Sequence, residues 1–379
     1  MKTVSIIGVL LFSFSGSLFS QESSMPSAKA QAVQEVLKKH IELGIPGLAI
    51  TVYSAQTGFW SHTEGWANLE NKTPLTSEHL FYLQSTSKTY MAVAILKLYE
   101  MGKLDLDDMI SRYLPPERAK SISGSNKISI RMLLNHTSGL PEYNSDPILV
   151  SRILHHPLET LSVWELLQPV LNKELEFEPG SRYRYRNTNY TLLSLIADTL
   201  TGDHVAFVQK EIIETLGLTG TRYLTRANYQ EPIPLVDAYW DVLLESKPTN
   251  VSGIQRANVA SMKGDDGLVA STLDAVRFMK GLVEGKLLKP ETLALMQQWV
   301  HDEEGKKKYG LGLAYYDLDM TYAIGHSGGG IGAGCVLLYL PELQAIVFVA
   351  TNFNTMMESP IRKKAEQLEM EILLALFSE

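Results

Sequence analysis

Strand-like sequence lies near both ends of this 379-residue chain and is nearly absent from its middle, and that distribution limits the fold more than any other feature. Gly47-Leu-Ala-Ile-Thr-Val-Tyr53 and Thr57-Gly-Phe-Trp60 flank a short Ser-Ala-Gln-Thr turn, which is a hairpin signal. Far away, Gly332 to Leu340 and Ala345 to Thr351 flank Pro341-Glu342-Leu343 and give a second hairpin. Between them, residues 76–225 are mostly helical in pattern, over 85–101, 128–135, 161–172 and 188–201. A helix over 28–43, stopped by Gly44, precedes the first strand, and an amphipathic helix at about 361–377 closes the chain. The expected fold class is α+β: a terminal antiparallel β-sheet flanked by helices, with an inserted, mostly helical lobe. The sheet lobe takes about 28–75 and 264–379 and the helical lobe about 76–225. Residues 226–263 show no clear periodicity and read as a long loop region near a cleft.

Lys2, the apolar run from Val4 to Phe19 and the small residue Ser20 read as a signal peptide over residues 1–20, leaving 21–379 as a single exported catalytic domain, periplasmic or secreted. The apolar run is shorter than the roughly 20 residues that span a bilayer, and no later stretch is apolar for long enough. Removing residues 1–20 takes away one lysine and leaves 33 basic against 42 acidic side chains, a net charge of −9. Nucleic acid and anionic membrane surfaces are therefore not expected partners. The single cysteine, Cys335, lies in a strand-like run and reads as a small core residue.

The chemistry sits in three short patterns, each found once. Ser85-Thr-Ser-Lys88 opens the apolar helical stretch Met91-Ala-Val-Ala-Ile-Leu96. Positions i and i+3 at a helix start share a face, so Lys88 reaches the Ser85 hydroxyl, and burial favours the neutral amine that accepts a proton. That makes a nucleophile and a base. Tyr185-Arg-Asn187 and His326-Ser-Gly328 come next in order. A competing pattern, Gly325-His-Ser-Gly-Gly329, matches the nucleophile elbow Gly-x-Ser-x-Gly. That elbow needs an acid and then a histidine downstream, and a helix directly after the serine. His326 is the last histidine, and the stretch after Ser327 is glycine-rich and leads into a hairpin, so Ser327 is rejected as nucleophile.

With these three motifs in this order, the chain resembles the serine penicillin-binding-protein/β-lactamase family: D-alanyl-D-alanine carboxypeptidases, class C β-lactamases and related esterases and D-aminopeptidases. The likeness runs from about residue 45 to 353 and includes Leu133-Leu-Asn-His-Thr-Ser-Gly-Leu-Pro141, Glu178-Pro-Gly180 and Gly267-Leu-Val-Ala-Ser-Thr272. It implies a β-lactamase/transpeptidase-like fold and a serine hydrolase that works through an acyl-enzyme on ester or amide bonds. In that scheme Ser85 attacks, Lys88 takes its proton, Tyr185 shuttles a proton and Asn187 hydrogen-bonds the substrate. His326 stands where the family often has lysine, as imidazole or imidazolium, to hold Tyr185 or a substrate anion. Gly328 closes the third motif, and the backbone N–H groups of Ser85 and Gly329 form the oxyanion hole.

Some residues depart from the pattern or carry no chemistry. Gly329 replaces a frequent hydroxyl residue that helps bind a substrate carboxylate, with Arg226 or Arg256 as possible substitutes. Arg186 is expected to point away from the cleft, His136 to fix a loop, and His155-His156 to lie in a surface loop. No metal or organic cofactor is implied, and the expected partner is a small-molecule or peptide substrate. Esterase and D-amino-acid peptidase or D,D-carboxypeptidase activities stay open, with a β-lactamase or a catalytically idle sensor module as alternatives. The signal-peptide reading predicts that exported protein begins near Gln21. N-terminal sequencing that returns an intact Met1 contradicts it.

Overall fold

The structure is a computed structural model and describes residues 25–318 and 321–377. The expected signal peptide lies outside the described residues. Strands from both ends of the chain meet in one nine-stranded antiparallel sheet, as the fold class required. Its order across the sheet is Thr73–Pro74, Gly58–Asn68, Gly47–Ser54, Ala345–Thr351, Gly334–Leu340, Tyr322–Gly329, Ala314–Asp317, Lys307–Tyr309 and Val300–His301. The central join pairs Ile50 with Val349 and Val52 with Val347, strands separated by nearly the whole chain.

Both faces of the central strands are apolar because both are covered. On one face Leu48, Ile50, Val336, Leu338, Val347 and Val349 pack against Val33 and Leu37 of helix Ser27–Glu42 and Ile372 and Leu376 of helix Leu368–Phe377. The alternate residues Ala49, Leu337, Ile346 and Phe348 face the helical lobe. There Phe278, on helix Thr272–Val283, stacks on Tyr90 of the central helix Ser87–Glu100. That helix buries eleven of its fourteen residues, which explains why it is apolar all round rather than amphipathic.

Local differences from the sequence reading have physical causes. The second strand runs to Asn68 rather than stopping at Trp60 because it continues to pair with the strand Gly47–Ser54 as far as Gly47↔Gly65, and then with Thr73–Pro74. The closing helix is two pieces, Pro360–Lys364 and Leu368–Phe377. Residues 226–263 are not all loop. They hold the short strand pair Tyr239–Trp240 and Thr249–Asn250 and the helix Ser252–Ser261, whose polar composition hid it. His155 ends the helix Pro147–His155 and is exposed, so the pair sits at a surface helix end rather than within a loop.

Candidate active site

Ser85 lies in a single 3-10 turn, Gln84–Thr86, that runs directly into helix Ser87–Glu100. Gln84 holds φ at +49°, a left-handed conformation that a non-glycine residue adopts at a cost of about 1–3 kcal/mol. The strained residue is over-determined by its neighbours: a Cβ on Gly330 would lie 2.3 Å from the Gln84 side chain, and one on Gly328 would lie 2.4 Å from the Leu83 carbonyl. The glycines of the third motif therefore let the strand Tyr322–Gly329 press against the turn that carries Ser85. Phe81 pairs with Ala270 and Tyr82 with Val269, and Leu83 N–H continues to the Leu268 carbonyl at 3.0 Å. Asp265 and Asp266, just before the strand Leu268–Ala270, line the same cleft as Ser85.

Lys88 is fully buried and its Nζ has three partners. Two, Asn187 Oδ1 at 2.7 Å and the Asp265 carbonyl at 2.9 Å, can only accept. The third is Ser85 Oγ at 2.9 Å. A neutral amine spends its two N–H groups on the two obligate acceptors and turns its lone pair to Ser85. Burial pulls the Lys88 amine below the ordinary lysine range, opposed by the charges of Asp265, Asp266 and Glu142. Asn187 is itself set by Glu142, whose carboxylate accepts from the Asn187 backbone N–H at 2.7 Å and from Nδ2 at 3.3 Å.

Tyr185 lines the same cleft, and its buried hydroxyl has no hydrogen-bond partner among the described residues. Burial pushes that hydroxyl well above the usual tyrosine range. Behind it the His136 ring packs 4.3 Å from the Tyr185 ring, centre to centre. His136 Nδ1 receives the Arg186 backbone N–H at 3.3 Å and lies 3.0 Å from Asn189 Nδ2, so this buried histidine fixes its loop to the Tyr185 segment. Arg186 turns away and pairs with Glu176, as expected.

His326 corrects the sequence reading. Its Nδ1 lies 2.6 Å from the Ser327 carbonyl, which can only accept, so Nδ1 carries the proton. Nε2 then accepts from the Tyr309 hydroxyl at 2.8 Å. Burial holds the ring at about 3, so His326 is neutral at neutral pH. His326 therefore holds Tyr309 and not Tyr185, whose ring centre is 6.1 Å away. Gly329 ends the strand beside the cleft, and a Cβ there would lie 3.2 Å from Thr355 Oγ1 and from Met356 Cγ, so a side chain at this position requires these two to give way slightly.

The cleft has a volume of about 440 Å³ and is lined by Ser85, Tyr185, Asn187, His326 and Gly329, which the sequence named. Gly328 instead lines an adjoining cavity of about 370 Å³ that shares Ser327 and Gly329. The lining also includes Gln84, Asn144, Asn258, Asp265, Asp266 and Tyr309, which the sequence reading missed. The cleft lining holds no lysine or arginine among the described residues. Arg226 bonds Thr160 on the surface and Arg256 bonds the Tyr229 carbonyl, so neither is the sought carboxylate receptor. Cys335 is buried against the Leu83 carbonyl with its thiol pushed up to about 12 by burial, a core group as read. Ser327 lies within a strand, with no helix after it, and the elbow reading fails.

Asp266 is 4% exposed, and Oδ1 accepts only the Gly267 N–H, at 2.7 Å. Burial raises its carboxyl to about 8. Below about pH 4 it is protonated in both the folded and the unfolded chain. Between 4 and 8 the unfolded chain releases the proton while the folded chain keeps it, so native stability falls as pH rises through that window. Asp266→Asn removes the dependence. The variant is expected to match wild type near pH 4 and to be more stable by on the order of a few kcal/mol at pH 8, read as denaturant midpoints. An equal stability difference at both pH values contradicts the assignment.

Comparison with known proteins places these residues in a wider group. A family model described as Beta-lactamase matches residues 30–370. Penicillin-binding protein 4* of Bacillus subtilis (strain 168) is 27% identical over 341 residues, covering 84% of this chain and 71% of its own length. Among solved structures, a D-stereospecific amidohydrolase from Streptomyces sp. shares the fold with a TM-score of 0.77 at 24% identity, over 92% of this chain and 98% of that one. The D-amino acid amidase from Ochrobactrum anthropi SV3 does so with a TM-score of 0.78 at 21% identity and the same coverage.

Proposed function

The chain belongs to the Beta-lactamase family and is a serine hydrolase of that type, and from this premise we propose that it cleaves uncharged or amino-bearing esters and amides through an acyl-enzyme on Ser85. The observation that carries the reading is Lys88, pinned by two obligate acceptors with its third contact on Ser85 Oγ. In the first step the Ser85 proton passes to Lys88 Nζ while Oγ bonds the substrate carbonyl carbon. The carbonyl oxygen takes the negative charge and is met by the Ser85 and Gly329 backbone N–H groups. As the intermediate collapses, Tyr185 gives its hydroxyl proton to the leaving nitrogen or oxygen and is resupplied from the Lys88 ammonium. Tyr185 suits this donor role because burial keeps its hydroxyl protonated. Water then attacks the acyl-enzyme by the reverse proton route, and Ser85 leaves. Asn187 holds Lys88 in line and offers its amide edge to the substrate.

Two structural neighbours are named as a D-amino acid amidase and a D-stereospecific amidohydrolase, which supports an amide or ester of a D-amino acid over a β-lactam. The same preference is supported by a cleft lining that holds no lysine or arginine among the described residues, since a β-lactam or a D-Ala-D-Ala end carries a carboxylate that such a cation would bind. We propose export as well, on the Lys2 to Ser20 pattern.

Lys88→Arg is expected to lose at least about a hundredfold in kcat while remaining folded, because guanidinium keeps its proton and cannot act as a base. Retention of more than about a tenth of the wild-type rate removes Lys88 from this role. For substrate class, kcat/KM for a short-chain p-nitrophenyl ester is expected to exceed that for nitrocefin. A missing hydrogen bond to a charged group is worth roughly 10–150-fold. Nitrocefin turned over faster than every ester tested contradicts the reading.

A further inference from the structure

We infer that Asp266 is a specificity-determining residue that receives a cationic amino group on the acyl part of the substrate. The inference rests on the serine-hydrolase reading and names its substrate class.

Two observations carry it. First, Asp266 lines the same cleft as Ser85, so a group bound there lies close to the attacked carbonyl. Second, Asp266 and its neighbour Asp265 differ in what satisfies them. The Asp265 carboxylate takes the Tyr143 hydroxyl at 2.7 Å and the Thr191 hydroxyl at 3.2 Å, whereas the Asp266 carboxylate takes one backbone N–H. A buried carboxyl with so few donors is costly unless a ligand supplies them. Lys88 does not supply them, since its three contacts are spent on Ser85, Asn187 and the Asp265 carbonyl. A ligand that satisfies this carboxyl presents an ammonium close to the attacked carbonyl. An α-amino-acyl group, as in an amino-acid amide or a peptide amino terminus, has that chemistry. A carboxylate does not.

Among the groups that face Asp266, Lys88 titrates as well, below the ordinary lysine range. Asp265 raises the Asp266 carboxyl and Lys88 lowers it. The hydroxyls of Tyr82, Tyr185 and Tyr223 and the Cys335 thiol feel its charge, and burial keeps all four protonated. The raised Asp266 carboxyl becomes an ion pair when the ammonium binds, so the contact needs an ionised Asp266 and a protonated amine.

The test compares D-alanine p-nitroanilide with propionyl p-nitroanilide, which lacks only the amino group, on the purified wild type and on Asp266→Asn. The kcat/KM ratio of the two substrates divides out the shared dependence on Lys88. In the wild type the ratio is expected to rise between pH 6 and 8, as Asp266 loses its proton. In Asp266→Asn it is expected to fall at least about tenfold at pH 8 and to lose the rising limb. A wild-type ratio that stays flat or falls from pH 6 to 8 overturns the inference whether or not the variant folds. So does a ratio unchanged in a variant whose circular dichroism matches wild type. If the propionyl substrate is turned over in either of those cases, only this inference fails. If neither anilide is hydrolysed and a fluorophosphonate leaves Ser85 unlabelled, the hydrolase reading fails and this one with it.

Discussion

One amine, taken out of water, organises this molecule. Removing an unpaired ammonium from solvent is costly, and the cost shrinks when the group gives up its proton. Here the site does both things such a group needs. It surrounds Lys88 with acceptors that fix where its hydrogens point, and it keeps nearby carboxyls to moderate the penalty. Each anchor comes from a different part of the chain: Ser85 from the turn before the central helix, Asn187 from the start of helix Asn187–Thr201, Asp265 from the segment leading into the strand Leu268–Ala270. The inserted helical lobe and the returning sheet segment are thus tied at a single nitrogen. A sheet assembled from both termini is the scaffold that allows it, since the strand carrying His326 and Gly329 must close over the same turn.

The second constraint is charge. The cleft lining holds two buried aspartates and neither lysine nor arginine among the described residues, and the histidine in it is neutral with both nitrogens occupied. Such a cavity offers acceptors more readily than cations. That balance bears on substrate choice more than the identity of the nucleophile does, since the same Ser85 and Lys88 serve any ester or amide. Gly329 fits the same picture, since it brings no side-chain hydroxyl to a substrate carboxylate, and Thr355 and Met356 stand 3.2 Å from where its Cβ would be.

Much of this was legible in the sequence because the signals were local. Ser85 and Lys88 are three residues apart at a helix start, Tyr185 and Asn187 two apart, and the strand patterns at the two ends have period-two or fully apolar signatures. The illegible part depends on contacts between distant segments. Asp265-Asp266 looks like a solvated pair until the fold places both in the cleft with Ser85. Tyr309 has no motif, and only the fold shows that His326 holds it through Nε2, where the sequence reading had His326 hold Tyr185 or a substrate anion. The helix Ser252–Ser261 was missed because its buried face includes Gln255 and Ser261 beside alanines and one valine, which leaves little hydrophobic period to read.

The account's central claim is that Lys88 works as a neutral amine, and the pH dependence of Ser85 acylation tests it most directly. The measurement is the single-turnover rate at which a fluorophosphonate labels Ser85, tracked by intact mass from pH 5 to 10.5. The account predicts a rate that rises and reaches a plateau with an apparent pKa well below the roughly 10.4 of an ordinary lysine. A rate that climbs without a plateau through pH 10 would mean that Lys88 stays charged when Ser85 reacts, and would contradict the arrangement from which the rest of the site is argued.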